Sequence, residues 1–147
     1  METIKLVYPV DGGDLIEAGE ASSKMKLTLK KLGLPPDIIR RASICMYEGE
    51  INMVIHAGGG QIDVDIAPDA VRMVLKDQGP GIQDISLAMQ AGWSTAPDDV
   101  RSLGFGAGMG LPNMKKYTDE MKIESTVGVG TTVSMTVFTH PQEEAVS

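Results

Sequence analysis

The sequence is poor in cysteine and in basic residues, and it has no long apolar run. Cys45 is the single cysteine among 147 residues, which excludes an internal disulfide framework and a zinc site built on several cysteines. Lysine and arginine number 13 against 20 aspartates and glutamates, for a net charge of −7. Direct binding to nucleic acid is not expected of such an acidic chain, because nucleic-acid-binding domains normally carry a basic face.

Two further absences concern location. No apolar segment approaches the roughly 18 residues of a membrane span, and the first residues lack the pattern of a signal peptide. We therefore expect a cytoplasmic protein without a membrane anchor.

What remains is the composition of an ordinary globular domain. Apolar residues make up 42% of the chain and charged residues 22%, which argues against disorder. The length suits one domain. We expect a single domain over residues 1–140 and a disordered acidic tail over 141–147.

The periodicity predicts five strands and four helices. Asp14 is the predicted N-cap of the first helix, which Gly33 ends. Residues 35–37 (Pro-Pro-Asp) open a second helix that ends at Gly58. The order of elements favours an α+β, two-layer α/β sandwich, with a mixed, mostly antiparallel sheet and helices on one face. The other predicted elements are strands at 3–10, 61–67, 70–77, 121–127 and 131–138, and helices at 83–90 and 111–120.

Glycine is abundant and unevenly placed: 12 of the 17 glycines lie between Gly58 and Gly130. The segment from Ala91 to Gly110 shows no periodicity, and a structureless stretch of that length inside a domain often covers a functional site.

Glu48 and Asn52 share one face of the second predicted helix, because they are four residues apart. A carboxylate and a carboxamide there can hold a hard cation or place a general base beside it. The alternative is a solvated polar stripe or a satisfied buried pair. Gly49 favours a close approach by another element, since glycine destabilises a helix interior by about 1 kcal/mol relative to alanine. Glu50 is expected at the surface.

Three glycine motifs follow along the chain. Asp77–Gly81 (DQGPG) ends a strand, where the carboxylate can accept a hydrogen bond from a ligand amine. Gly104–Leu111 (GFGAGMGL) precedes a helix, where backbone amides suit phosphate oxygens. Gly128–Thr132 (GVGTT) can bring hydroxyls to a base edge. Taken singly, each motif also fits a plain turn or a flexible loop.

Taken together and in this order, the four motifs resemble the N, G1, G2 and G3 boxes of the GHKL (Bergerat-fold) ATP-binding superfamily. The resemblance covers about residues 5–138. It is most specific to the anti-sigma-factor serine kinases, and within them to the switch kinases of partner-switching and stressosome pathways. HAGGGQIDVDI after the N box and DQGPGIQDISLAMQAGWST before the loop support this branch.

The resemblance implies ATP and Mg²⁺ as cofactors and assigns roles residue by residue. Glu48 is the implied general base, and Asn52 is the implied Mg²⁺ ligand. Asp77 would accept a hydrogen bond from the adenine amino group, often with a water shared with Thr131. The remaining implied cofactor-binding residues let the base and the loop pack closely, present amides to phosphates or anchor the following helix: Gly79, Gly81, Gly106, Gly108, Met109, Gly110 and Leu111.

Several functions stay open at this level. The resemblance implies a serine/threonine kinase that phosphorylates a small STAS-type antagonist protein and forms homodimers. The alternative is a non-catalytic, ATP-dependent module that sequesters a sigma factor or another regulator. A detached histidine-kinase domain is disfavoured, because His56 and His140 are the only histidines and neither sits on a phosphoacceptor helix. A domain that binds no nucleotide is the fourth possibility.

Overall fold

The computed structural model describes residues 3–12, 18–90 and 110–140. Asp14, the stretch 91–109 with Gly106, Gly108 and Met109, and the tail from 141 lie outside the described residues. The strands are β1 (Ile4–Asp11), β2 (Gly59–Ile66), β3 (Ala70–Lys76), β4 (Glu120–Thr126) and β5 (Gly130–Phe138), and the helices are α1 (Glu20–Lys31), α2 (Pro36–Ala57), α3 (Ile85–Ala88) and α4 (Gly110–Tyr117).

The five strands form one sheet in the order β1-β2-β3-β5-β4. Each neighbouring pair is antiparallel. The predicted α+β sandwich is therefore confirmed, as are the two predicted hairpins and the bounds of the second helix. The sheet in the described residues is wholly antiparallel rather than mixed. A doubly wound parallel sheet is excluded.

Alternation along the strands gives the sheet one apolar face, because successive side chains point to opposite sides. On β2, Ile62 and Val64 are fully buried while Asp63 and Asp65 on the other face are partly exposed. The apolar face packs against α2, which contacts β1, β2, β3 and β5. Helix α2 therefore covers most of the apolar face of the sheet.

The start of α1 differs from the prediction. The helix begins at Glu20 rather than after Asp14, because Gly19 adopts a left-handed conformation with φ 98°. Glu50 accepts hydrogen bonds from the backbone amides of the first turn there. It is 3% exposed, so the expectation that Glu50 lies at the surface was wrong.

The end of α4 also differs. The helix was expected to continue to Glu120, but it ends at Tyr117. Arg41 Nε donates to the Tyr117 carbonyl at 3.0 Å, and Thr118 Oγ1 donates to the Met114 carbonyl at 2.8 Å. These side chains satisfy the last carbonyls of the helix, and Glu120 becomes the first residue of β4.

Candidate functional site

Helices α2 and α4 run antiparallel along one line of contacts. Residues that follow one another along one face of α2 contact residues that lie progressively closer to the N-terminus of α4. The contacts are Arg41 with Tyr117, Cys45 with Met114, Glu48 with Asn113, and Asn52 with Gly110. Glu48 and Asn52 therefore face the N-terminal turn of α4. They do not form a purely solvated polar stripe, whereas the alternative of polar side chains satisfied by packing stays open.

Glu48 is held by a carboxamide. Nδ2 of Asn113 donates a hydrogen bond to Oε1 of Glu48 at 3.2 Å, and both side chains are partly exposed. The interaction fixes the carboxylate beside the first turn of α4, and Oε2 has no hydrogen-bond partner among the described residues. No sequence motif marked Asn113; only the packing of α4 on α2 brings it to Glu48.

Asn52 lies directly against the first residue of α4. A Cβ atom added to Gly110 would lie 2.8 Å from Nδ2 and 3.2 Å from Oδ1 of Asn52. A side chain at Gly110 would therefore displace the carboxamide. The N-terminus of a helix carries unpaired amides and a partial positive charge, which suit an anion such as a phosphate.

The donors near Asn52 fit a magnesium ion held together with phosphates. No group of three His, Cys, Asp or Glu side chains is gathered in residues 3–12, 18–90 and 110–140. Mg²⁺ in nucleotide sites typically takes only one or two protein oxygens and completes its shell with phosphates and waters. The Asn52 carboxamide oxygen can supply one of these, and the Glu48 carboxylate lies one turn away on the same helix.

The second part of the site surrounds Asp77, just after β3. Its Oδ1 accepts hydrogen bonds from the amides of Gly79 at 2.9 Å and Thr131 at 3.1 Å. The amide of Asp77 in turn donates to the Thr131 carbonyl at 3.0 Å. Oδ1 is thus occupied by the protein, while Oδ2 has no hydrogen-bond partner among the described residues and can accept from a ligand donor.

Close packing explains the glycines around Asp77. A Cβ at Gly79 would lie 2.6 Å from Cα and 2.7 Å from Cβ of Ala57, at the end of α2. Gly81 adopts φ 82°, and a Cβ there would lie 2.6 Å from the carbonyl oxygen of Thr126. The loop after Asp77 is therefore wedged between α2 and the β4–β5 hairpin.

One residue of this region has no counterpart in the sequence predictions. Ser125 Oγ accepts from the Ile82 amide at 2.7 Å and lies 2.8 Å from Thr131 Oγ1. A serine on a predicted strand carries no signal that would single it out.

Leu111, by contrast, is 8% exposed within the hydrophobic core, so it anchors α4.

Gly49 and Cys45 on α2 serve packing. A Cβ at Gly49 would clash with the end of the Leu75 side chain, which confirms that another element approaches there. Burial raises the pKa of Cys45 to about 12, so its thiol stays protonated at neutral pH. Burial also lowers the pKa of His56.

Comparisons with known proteins agree with this geometry. The family described as "Histidine kinase-like ATPase domain" matches residues 15–137. The chain belongs to this family. Its predicted resemblance to the GHKL superfamily is thereby confirmed.

Its relatives include serine/threonine-protein kinase RsbT of Bacillus subtilis (strain 168), 33% identical over 108 residues that cover 71% of this chain and 75% of the relative. The anti-sigma F factor of Caldanaerobacter subterraneus subsp. tengcongensis is 34% identical over 112 residues, again covering 71% and 75%. These relatives confirm the branch expected from the sequence.

Two solved structures share the fold of the present chain. The RsbU and RsbW domains of a Mycobacterium tuberculosis protein match with a TM-score of 0.60 at 20% identity, over 94% of this chain and 33% of that one. The mycobacterial sensor histidine kinase MprB matches with a TM-score of 0.53 at 19% identity, over 93% of this chain and 100% of that one. The described helices include none long and apolar enough to cross a membrane.

Proposed function

We propose that the chain is an ATP-dependent serine/threonine kinase that phosphorylates a small STAS-type antagonist protein in a partner-switching pathway. The observation that carries this proposal is the position of Glu48 and Asn52 against the first turn of α4. A carboxylate able to take a proton lies there beside a helix N-terminus suited to phosphate. The similarity to a serine/threonine kinase and to anti-sigma F factors supports the same reaction.

Asp77, the start of α4 and Glu48 each have a defined task in this proposal. The free Oδ2 of Asp77 accepts from the adenine amino group, which fixes the nucleotide at the far end of α2. The amides at the start of α4 bind phosphate oxygens, and the resemblance gives the same role to the amides of Gly106 and Gly108, which lie outside the described residues. Glu48 Oε2 orients the serine or threonine hydroxyl of the partner protein and takes its proton.

Asn52 would hold Mg²⁺ on the nucleotide phosphates, with Glu48 one turn away. When bound, the ion supplies charge neutralisation on the phosphates. Because phosphoryl transfer depends chiefly on positioning and electrostatics, these few groups suffice for the reaction. A kinase needs ATP and its protein substrate in the same compartment, so we propose that the chain acts in the cytoplasm.

The test is transfer of labelled γ-phosphate to a STAS-domain antagonist. Glu48→Gln should lower the transfer rate by about 10²–10⁴-fold while the dissociation constant of ATP stays within about twofold. Asn52→Ala should instead weaken binding of Mg-ATP, on the order of tenfold. Glu120→Gln, the same chemical change at an exposed position, is the matched control and should transfer normally. Unchanged transfer by Glu48→Gln would refute the assigned base.

One observation favours a second function. Asn113 already donates to Glu48 Oε1, and a carboxylate engaged in this way is a weaker base. The chain would then be a non-catalytic module in which bound ATP stabilises a surface that sequesters a regulator. Calorimetry combined with a turnover assay separates the two: tight ATP binding without turnover or transfer supports the module.

A further inference from the structure

Arg41 joins three elements at the end of α4 that lies away from Asn52. Its Nε donates to the Tyr117 carbonyl at 3.0 Å, and its Nη2 donates to Asp119 Oδ2 at 3.1 Å. The same Oδ2 accepts a hydrogen bond from the Phe138 amide on β5 at 2.8 Å. A single guanidinium on α2 therefore holds the last residue of α4 and, through Asp119, the end of β5.

These bonds are the strongest polar link between α2 and α4 among the described residues. The guanidinium is planar, so two acceptors fix its direction as well as its position. The Arg41 side chain is 21% exposed and that of Asp119 is 33% exposed, so water and salt screen the pair less than a fully exposed one. By comparison, Asn113 donates one bond to Glu48 at 3.2 Å, and the Cys45 thiol, a weak donor, lies 3.8 Å from an α4 carbonyl.

The first turn of α4 is held less firmly. Gly110 has no side chain, and it meets α2 through a close approach to the Asn52 carboxamide. Helix α4 has eight residues, which make about 12 Å of helix at about 1.5 Å per residue. Because so short a helix moves as a rigid rod, the place of its first amides relative to Asn52 depends on how its last turn is fixed.

We propose that Arg41 is a positioning residue, which holds α4 so that its first amides reach the nucleotide phosphates beside Asn52. The proposal rests on the phosphate-binding role of α4 in the proposed function. Without the bonds of Arg41, α4 can slide or tilt on α2. Hydrogen bonds to phosphate weaken steeply with poor distance and angle, and a misplacement of about 1 Å can cost about 10²-fold in rate.

The other end of the proposed nucleotide site does not depend on α4. Asp77 accepts from the Thr131 amide on β5, and the glycine two residues after it packs against Ala57 at the end of α2. Loss of the Arg41 bonds should therefore weaken the binding of phosphates and leave the binding of the nucleoside nearly unchanged.

Binding of Mg-ATP and of adenosine to the full chain, each measured by displacement of a fluorescent ATP analogue, tests the proposal. Adenosine lacks the phosphates, so the ratio of its dissociation constant to that of Mg-ATP isolates their contribution. Arg41→Met keeps an apolar stem and removes the donors. It should weaken Mg-ATP binding about tenfold, the effect of one hydrogen bond to a charged group, with adenosine binding within about twofold of wild type. The ratio should therefore fall.

Two control variants separate positioning from charge and from stability. Arg40→Met removes the same charge at the next residue, which lies over the Tyr117 ring at 5.5 Å but donates to Asp37 rather than to the α4 backbone. Glu50→Gln removes an acceptor from the first turn of α1, so it lowers stability on the side of α2 that faces α1. Both should keep the wild-type ratio. An equal fall in either variant would overturn the proposal.

A second substitution covers failure of Arg41→Met to fold. Lysine at this position keeps the charge but cannot hold both acceptors in the geometry of a guanidinium. The ratio in Arg41→Lys should therefore still fall, by about threefold. An unchanged ratio in the folded variant would overturn the role of Arg41.

The wild-type chain distinguishes this proposal from the proposed kinase activity. Binding of Mg-ATP without phosphoryl transfer would refute the kinase, and the affinity ratios would still decide the role of Arg41. Normal transfer together with an unchanged ratio in Arg41→Met would overturn the role of Arg41 alone. Equal affinity of the wild type for Mg-ATP and adenosine would overturn the phosphate-binding role of α4 and the role of Arg41 with it.

Discussion

Replacing Glu50 with glutamine should destabilise the protein although the change is nearly isosteric. Oε2 of Glu50 accepts from the amides of Gly19 at 2.9 Å and Ala21 at 3.2 Å, and Oε1 accepts from the amide of Ser22 at 2.9 Å and from its hydroxyl at 2.6 Å. Glutamine replaces one of these oxygens with an NH₂ group, which cannot accept. Two donors at the start of α1 are then left without a partner.

The magnitude follows from the burial of these groups. Each buried donor without a partner costs about 1–3 kcal/mol, and loss of the negative charge at a helix N-terminus costs about 0.3–1 kcal/mol more. Since the turn can relax in part, we expect the free energy of unfolding to fall by about 3 kcal/mol. For a chain of this size, that lowers the melting temperature by about 6–12 °C.

Urea unfolding followed by circular dichroism measures the loss, and hydrogen exchange at the Ser22 amide localises it. Glu48→Gln, two residues earlier on the same helix, is the matched comparison and should change the free energy of unfolding by less than about 1 kcal/mol, because Glu48 is partly exposed. Glu50→Gln should therefore be the less stable variant, and Glu48→Gln should be the slower one in phosphoryl transfer. A Glu50→Gln chain within about 0.5 kcal/mol of wild type would refute the capping role.

Three further predictions concern single side chains. Asn113→Asp should slow phosphoryl transfer, because it replaces the hydrogen-bond donor to Glu48 Oε1 with a carboxylate that repels Glu48 from its place beside the first turn of α4. Gln61→Glu, which makes the same chemical change beside Asp63 on the far side of the sheet, should leave the transfer rate unchanged. Cys45 should react with a thiol reagent at pH 8 no faster than the chain unfolds, because burial raises its pKa to about 12, and a rapid reaction of the native protein would contradict its burial. Burial lowers the pKa of His56 and so favours its neutral form in the folded protein. Because the unfolded chain binds more protons, the free energy of unfolding should fall as the pH drops from 7 through about 6.5 toward the lowered pKa. A His56→Gln chain should show a smaller fall in its urea midpoint over that range, and an equal fall would refute the assignment.

Local patterns in the sequence were sufficient for most elements of the fold. Alternation defined β2 and β3, and Pro36 and Gly58 marked both ends of α2, because these signals act over a few neighbouring residues. The same holds for Glu48 and Asn52, whose spacing of four places them on one helical face wherever the helix packs. The family resemblance added Asp77 and Thr131 as one binding unit.

Long-range contacts decided the rest. Glu50 looked like a surface residue because its partners, Gly19 to Ser22, lie about 30 positions away in sequence, and no local pattern records that distance. Asn113 and Ser125 gained their partners in the same way, through the packing of α4 on α2 and of the loop after Asp77 on the hairpin.

The sequence by itself thus determined the helices, the strands and the residue types able to meet a nucleotide. Only the tertiary structure decided that Glu50, two residues after Glu48 on the same helix, caps α1 instead of lying at the surface. The physical reason is that residues two apart on a helix point about 160° away from each other, so their surroundings are set by whichever elements pack on each side.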